Sequence, residues 1–256
     1  MSEENEIKFY DDPKFRSDDL LEEAYNTSSK TKAIKLAKQA LELNPENIDA
    51  ECFIADFEEN KIKKLNKMET IIEKATQILE KDNMFDKENI GIFWEILETR
   101  PYMRARNRKL AILMDLGRYT DAIKECEELL NLCESDNLGI RYILIGLYCI
   151  LEKFEECEKL YKKFNEYSAF MLFPMAIMYF KKGDYKKSKK FLKDVQESNP
   201  YIIKMLKNDI AMTENSEDIE YYAHGSKEEA IIIIDDLLYL LGSVPSFITF
   251  INLELK

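Results

Sequence analysis

Apolar residues recur along most of this chain at i, i+3, i+4 and i+7, the period of a helix with one buried face. Leu65, Met68, Ile71, Ile72, Ala75 and Leu79 form one such stripe, within a helix expected over Ile62–Glu80. Three shorter helices are expected before it, over Asp18–Thr27, Lys32–Leu43 and Asn47–Glu59. Asn44-Pro45 ends the second of them, because proline cannot continue a helix and pushes its predecessor out of the helical region. Glycine and proline number only 7 and 6, so few positions interrupt helix.

The stripes also recur as longer units. A-I-K-L-A-K-Q-A-L-E-L-N-P (Ala33 to Pro45), L-G-R-Y-T-D-A-I-K-E-C-E-E-L-L (Leu116 to Leu130), L-E-K-F-E-E-C-E-K-L-Y-K-K-F (Leu151 to Phe164) and K-K-G-D-Y-K-K-S-K-K-F-L-K-D-V-Q-E-S-N-P (Lys181 to Pro200) place small and apolar side chains at the same offsets. The last three return about every 31 to 35 residues. Each reads as the second helix of a pair. Such a pair cannot bury its own apolar face, so it must stack on its neighbours. Gly117 and Gly183 fall where the turn between paired helices needs a left-handed residue.

This register divides the chain into a lead-in (1–16), a block of paired helices (17–81), an irregular link (82–100), a regular array (101–212) and a C-terminal cap (213–256). In the link, E-N-I-G-I-F-W-E-I-L-E is expected to form an extra helix carrying Trp94, the only tryptophan. Pro101 suits the first turn of the helix that follows. In the cap, an acidic stretch from Thr213 to Asp218 precedes an apolar helix over Ser226–Leu241. Ser226 and Glu229 have capping-box spacing. A short helix is expected after Pro245.

Composition narrows the function classes. Apolar residues make up 46%, charged residues 34%, and the formal net charge is -12. That field opposes contact with phosphate backbones, so nucleic acid is not an expected partner. The five cysteines, at 52, 126, 133, 149 and 157, all lie in helical patterns and form no C-x-x-C, which reads as reduced thiols in the cytoplasm. The N-terminus is acidic and lacks the apolar run of a signal peptide. The longest apolar run, Ala230 to Leu241, is broken by Asp235 and Asp236 and is too short to span a bilayer, so no membrane association is expected.

These registers resemble tetratricopeptide (TPR) repeats. The turn aromatics are Tyr119, Phe154 and Tyr185, the small residues at the helix crossing are Ala33, Ala122, Cys157 and Ser188, and the closing prolines are Pro45 and Pro200. The match covers roughly two thirds of the chain. Departures are an absent tryptophan at the start of the first helices, the irregular link, and two copies without a closing proline. The C-terminal half, from P-Y-M-R-A-R-N-R-K-L through N-P-Y-I-I-K-M-L to G-S-K-E-E-A, is similar to repeat proteins of the suppression-of-tumorigenicity type, which are regarded as scaffolds without assigned catalysis. The resemblance implies an all-α, right-handed solenoid of helix pairs with a C-terminal capping helix. It also implies that the first helix of each pair faces a concave groove.

Two groups of residues are candidates for that groove. Arg100, Arg104 and Arg108 are spaced to share one helix face. Arg104 and Arg108 fall where members of the family hold a partner's terminal carboxylate, for which a guanidinium fork is well shaped. The expected companion asparagine and lysine are replaced by Cys52 and Asp56. The competing reading is that these arginines pair with the chain's own acids, for example Glu95 and Glu98. Further along, Tyr142 and Gly146, with Gly139 beside them, and then Phe170, Phe173 and Ile177 would make a dry channel for a partner helix or extended peptide. The competing reading is intramolecular core, or a surface covered by the helix Ser226–Leu241.

Catalytic signals are sparse. His224 is the only histidine and sits in a turn without a nucleophile motif. Cys126 and Cys133 share a helix face but lack further zinc ligands. No phosphate-binding glycine loop occurs. The sequence therefore points to a non-enzymatic scaffold or adaptor that binds another protein or peptide, with no cofactor and no metal. The alternative is a peptide- or ligand-sensing regulator without its own DNA-binding domain.

Overall fold

The computed structural model describes residues 12–208, 211 and 215–255. The described residues form fourteen α-helices and two short 3-10 turns, with no strand. They fall into two compact units that divide after Leu138. The first eleven residues of the lead-in, and Thr213 and Glu214 of the acidic stretch, lie outside the described residues.

The first unit holds α1 (Pro13–Tyr25), α2 (Lys30–Leu43), α3 (Ile48–Asp56), α4 (Lys61–Lys81), α5 (Arg100–Asp115) and α6 (Tyr119–Leu132). The first four start on side-chain caps: Asp12, Ser29, Asn47 and Asn60 each accept a backbone N–H of the first turn. Asp12 and Pro13 start α1 five residues ahead of the expected Asp18, since aspartate caps and proline suits the first turn. Each helix packs on the next, and the first helices of adjacent pairs, α3 and α5, also touch directly. That is the contact pattern of stacked helix pairs.

The stretch around Trp94 does not form the expected helix. It runs as turns to the 3-10 turn Leu97–Thr99. The backbone N–H groups of Gly91 and Phe93 donate to the Leu132 carbonyl at 3.1 and 3.0 Å, and the Glu134 N–H donates to the Gly91 carbonyl at 2.8 Å. These bonds to the end of α6 replace the helical ladder, and Gly91 adopts a left-handed φ of 99° that a helix excludes. The exchange buries Phe93 completely, against Phe85 and Tyr102.

The second unit holds α7 (Ile140–Ile150), α8 (Phe154–Phe164), α9 (Ala169–Lys181), α10 (Tyr185–Ser198), α11 (Pro200–Leu206), α12 (Lys227–Asp236), α13 (Leu238–Ser243) and α14 (Ser246–Glu254). Gly139 caps the start of α7 rather than facing inward from within it. The turn aromatics Tyr119, Phe154 and Tyr185 open α6, α8 and α10. The crossing residues Ala33, Ala122, Cys157 and Ser188 are all buried. In the second unit they make the same contact twice. The Cys157 thiol approaches the Ile145 carbonyl at 3.9 Å and the Ser188 hydroxyl donates to the Ala176 carbonyl at 2.8 Å, each twelve residues back along the chain. The repeated offsets in the sequence are thus repeated packing positions.

The apolar helix expected over Ser226–Leu241 is two helices that meet at Leu237. The break lets α12 pack on α11 while α13 turns back onto α7. The helix expected after Pro245 is α14.

Candidate functional site

In the first unit, α1, α3 and α5 are the first helices of their pairs, and they share a cleft of about 600 Å³. Arg104 of α5 lines it and Arg108 lies one turn further along the same helix, and the chain's own acids engage both. Arg104 forks onto Asp49, with Nε donating to Oδ1 at 2.9 Å and Nη2 to Oδ2. Arg108 Nε donates to Asp56 at 3.1 Å and its Nη2 donates to the Tyr25 hydroxyl at 3.1 Å. The bond to Asp49 raises the Arg104 pKa, fixing its charge more firmly. The partners are Asp49 and Asp56 rather than Glu95 and Glu98.

Other basic residues of α5 point elsewhere. Arg100 donates to the Trp94 carbonyl at 2.7 Å. Arg106 and Lys109 both pair with the buried Glu125 of α6.

With its arginines paired, the cleft carries Asp18, Glu22, Glu46, Asp49 and Glu98 against Lys14 and Arg104. Burial and the neighbouring Asp49 push the Asp18 carboxyl above the usual carboxylate range, while a hydrogen bond from Asn47 works the other way. Cys52 lies fully buried behind this face, and burial pushes its thiol up to about 12.

In the second unit the residues proposed to line a channel divide into two sets. Tyr142 and Phe170 are half-buried, with ring centroids 4.8 Å apart. The Tyr142 hydroxyl donates to Glu166 at 2.7 Å and accepts from Arg141 at 2.6 Å. The Arg141 guanidinium also lies 4.2 Å from the Tyr142 ring centroid. Gly146, Phe173 and Ile177 are buried, and the C-terminal helices contact the first two. Tyr239 of α13 packs against Gly146, and Phe247 of α14 packs on Phe173 at 6.0 Å. Phe247 and Phe250 also enclose Phe180. The end of this same chain therefore covers Gly146 and Phe173, while Tyr142 and Phe170 stay half-buried.

Sequence reasoning missed Asp49, Tyr25 and Tyr239. Asp49 lies 55 residues from Arg104, and only the stacking of α3 on α5 brings them together. The Ser226 cap is present: its hydroxyl accepts the Glu229 N–H at 3.1 Å. Glu229 is buried and holds the Gly225 N–H at 2.7 Å, the Asn199 amide at 2.8 Å and His224 Nδ1 at 3.1 Å. That places His224 in a structural corner. Among the described residues no three His, Cys, Asp or Glu side chains are arranged to hold a metal ion. No described helix is long and apolar enough to cross a membrane.

No family model and no curated protein matches the sequence. Among solved structures the chain is similar to one described as the crystal structure of MamA protein. The likeness spans 79% of this chain and 99% of that one, at 13% identity and a TM-score of 0.49.

Proposed function

We propose that this chain is a protein-interaction scaffold that holds a peptide or helix of another protein in the cleft of its first unit. One observation carries the reading. The first-helix face of α1, α3 and α5 is an open cleft of about 600 Å³, whereas on the matching face of the second unit α13 and α14 cover Gly146 and Phe173. Stacked helix pairs present such faces to partners, and a volume of this size takes a few side chains of a peptide.

The polarity of the cleft decides which peptide. Asp49 and Asp56 already engage Arg104 and Arg108, so a terminal carboxylate would have to compete with both. The surplus of carboxylates in the cleft favours a segment bearing lysine or arginine. A cation there would also relieve the crowding of Asp18 by Asp49. Arg104 and Arg108 act in this reading as braces that hold the acids in place. Tyr142 and Phe170 offer a half-buried ledge on the second unit, and Gly146, Phe173 and Ile177 contact a partner only where α13 and α14 lift away. The five buried, unbridged thiols suit a reducing compartment.

The test uses a photo-crosslinking amino acid at Leu97, which lines the cleft and is 66% exposed, with Ile62 as the control position. A partner captured from Leu97 is then titrated by calorimetry against the wild-type chain and Glu22→Lys/Glu98→Lys. An affinity loss of about tenfold or more is expected. Unchanged affinity removes the cleft as the binding site.

A further inference from the structure

The exposed face of α10 carries a basic patch. A shallow groove of about 550 Å³ is lined by Asp184, Lys186, Lys187, Lys189, Lys190 and Lys193. Five lysines against one aspartate is an inversion of the charge of a chain whose formal net charge is -12. The buried stripe of the helix is Ser188, Leu192, Val195 and Ser198. Helical spacing places Lys186, Lys190 and Lys193 on the opposite side, and all three are exposed.

Two of the five lysines are neutralised within the fold. Lys187 pairs with Asp184 at 3.4 Å and Lys189 with Glu254 of α14 at 2.7 Å. Lys186, Lys190 and Lys193 make no ion pair within 4.0 Å among the described residues, although Asp194 lies near enough to feel Lys190. Lys186–Lys190 and Lys189–Lys193 are like charges four residues apart, an arrangement that works against the helix. A ligand with several negative charges relieves that repulsion as it binds.

The geometry points to a docking site for an acidic polypeptide segment, rich in glutamate or aspartate, laid along α10. A short acidic peptide fits better than a long polyanion. The lysines span little more than two helical turns, and at physiological salt their field reaches only about 8 Å. A duplex or an anionic membrane extends past the patch and meets the acidic remainder of the chain. Lysine ammonium groups act as point charges and do not demand the planar fork geometry of an arginine site.

The experiment measures fluorescence anisotropy of a labelled glutamate-rich peptide with the full chain. The variants are Lys186→Glu/Lys190→Glu/Lys193→Glu and a control with the same charge change on α2, Lys32→Glu/Lys35→Glu/Lys38→Glu. The expected result is saturable binding that weakens with salt, is lost about tenfold or more in the α10 variant, and is much less affected in the control. The neutral variant Lys186→Gln/Lys190→Gln/Lys193→Gln should fall between wild type and the charge reversal. It also serves as the test should the reversal fail to fold by circular dichroism. Equal losses in the α10 variant and the control would show only a net-charge effect and overturn the site. So would saturable binding of a DNA duplex or phosphatidylserine vesicles with none of the peptide.

Discussion

The Tyr239 hydroxyl occupies the space that a Cβ on Gly146 would need, and the ring carbon bearing it lies 3.2 Å from that point. Gly146 is therefore the residue that lets α13 seat on α7. Its backbone is helical, so the glycine is required for its missing side chain and not for its torsion angles. Gly146→Ala should cost about 1–3 kcal/mol through overpacking. The clashing hydroxyl is the far end of the Tyr239 side chain, so the cost should appear as loosening of Leu238–Ser243 rather than loss of α7. Hydrogen exchange over α13 and α14 checks this, and Tyr239→Phe in the Gly146→Ala background should recover part of the protection. Unaltered exchange in α13 would mean that Tyr239 does not anchor it.

Asp49 braces two of the arginines of α5, bonding to Arg104 and lying 3.9 Å from Arg108. Its side chain is 18% exposed while that of Arg104 is 38% exposed, so solvent screens the pair only in part. Asp49→Ala should destabilise the chain by about 1–2 kcal/mol, because it leaves two like charges facing each other. Arg104→Ala should cost less. A double-mutant cycle in urea should return a coupling of about 0.5–1 kcal/mol between them. A coupling of zero would show the fork to be energetically idle.

Those two relationships mark where the sequence could be read and where it could not. The paired helices were legible because each second helix repeats the same small residues, and Ala33, Ala122, Cys157 and Ser188 are indeed buried at crossings. Phe173 and Ile177 were legible as apolar. That α13 covers Gly146 and α14 covers Phe173 was not, since the break at Leu237 that frees α13 to turn back leaves no proline or glycine signal of its own. The helix expected at Trp94 failed for a related reason. Its amphipathic pattern is real, but Gly91 and Phe93 find better acceptors at the end of α6. Tertiary contact overrides local period there. Arg104 and Arg108 stood out as unusual cations, yet naming Asp49 and Asp56 required knowing which helix stacks beside α5.

Glu166 gives the second unit a pH-dependent contact. Burial works to raise its pKa, but the hydrogen bonds from Tyr142 and Arg141 and the Arg141 charge outweigh it and hold the carboxyl below its usual range. A depressed folded-state value means that the contact stabilises the fold above the unfolded carboxylate pKa of about 4.3 and is lost as pH falls through the lower folded value. Glu166→Gln should therefore lower stability by about 1 kcal/mol at neutral pH, with the difference from wild type closing in acid. Urea titrations at neutral and acidic pH check the sign. A deficit that persists unchanged in acid would trace the loss to packing instead of charge.

The five thiols should behave as core residues. All five cysteines are buried and unbridged, although the Cys149 and Cys157 sulfurs are only 3.5 Å apart. Burial pushes the Cys52 thiol to about 12, and Cys126 and Cys149 are raised as well. The thiolate is the species that attacks a disulfide reagent. At pH 8 a thiol of that pKa is ionised in about one molecule in ten thousand, and the reagent must also reach a closed interior. An aromatic disulfide reagent should therefore find no fast-reacting thiol in the native chain and all five in denaturant. Native labelling should track the opening of the fold, slowing when the chain is stabilised and quickening in Gly146→Ala, whose loosened α13 exposes the α7 face near Cys149. A burst of labelling in the native wild type would mean that the packing around at least one of these cysteines opens on its own.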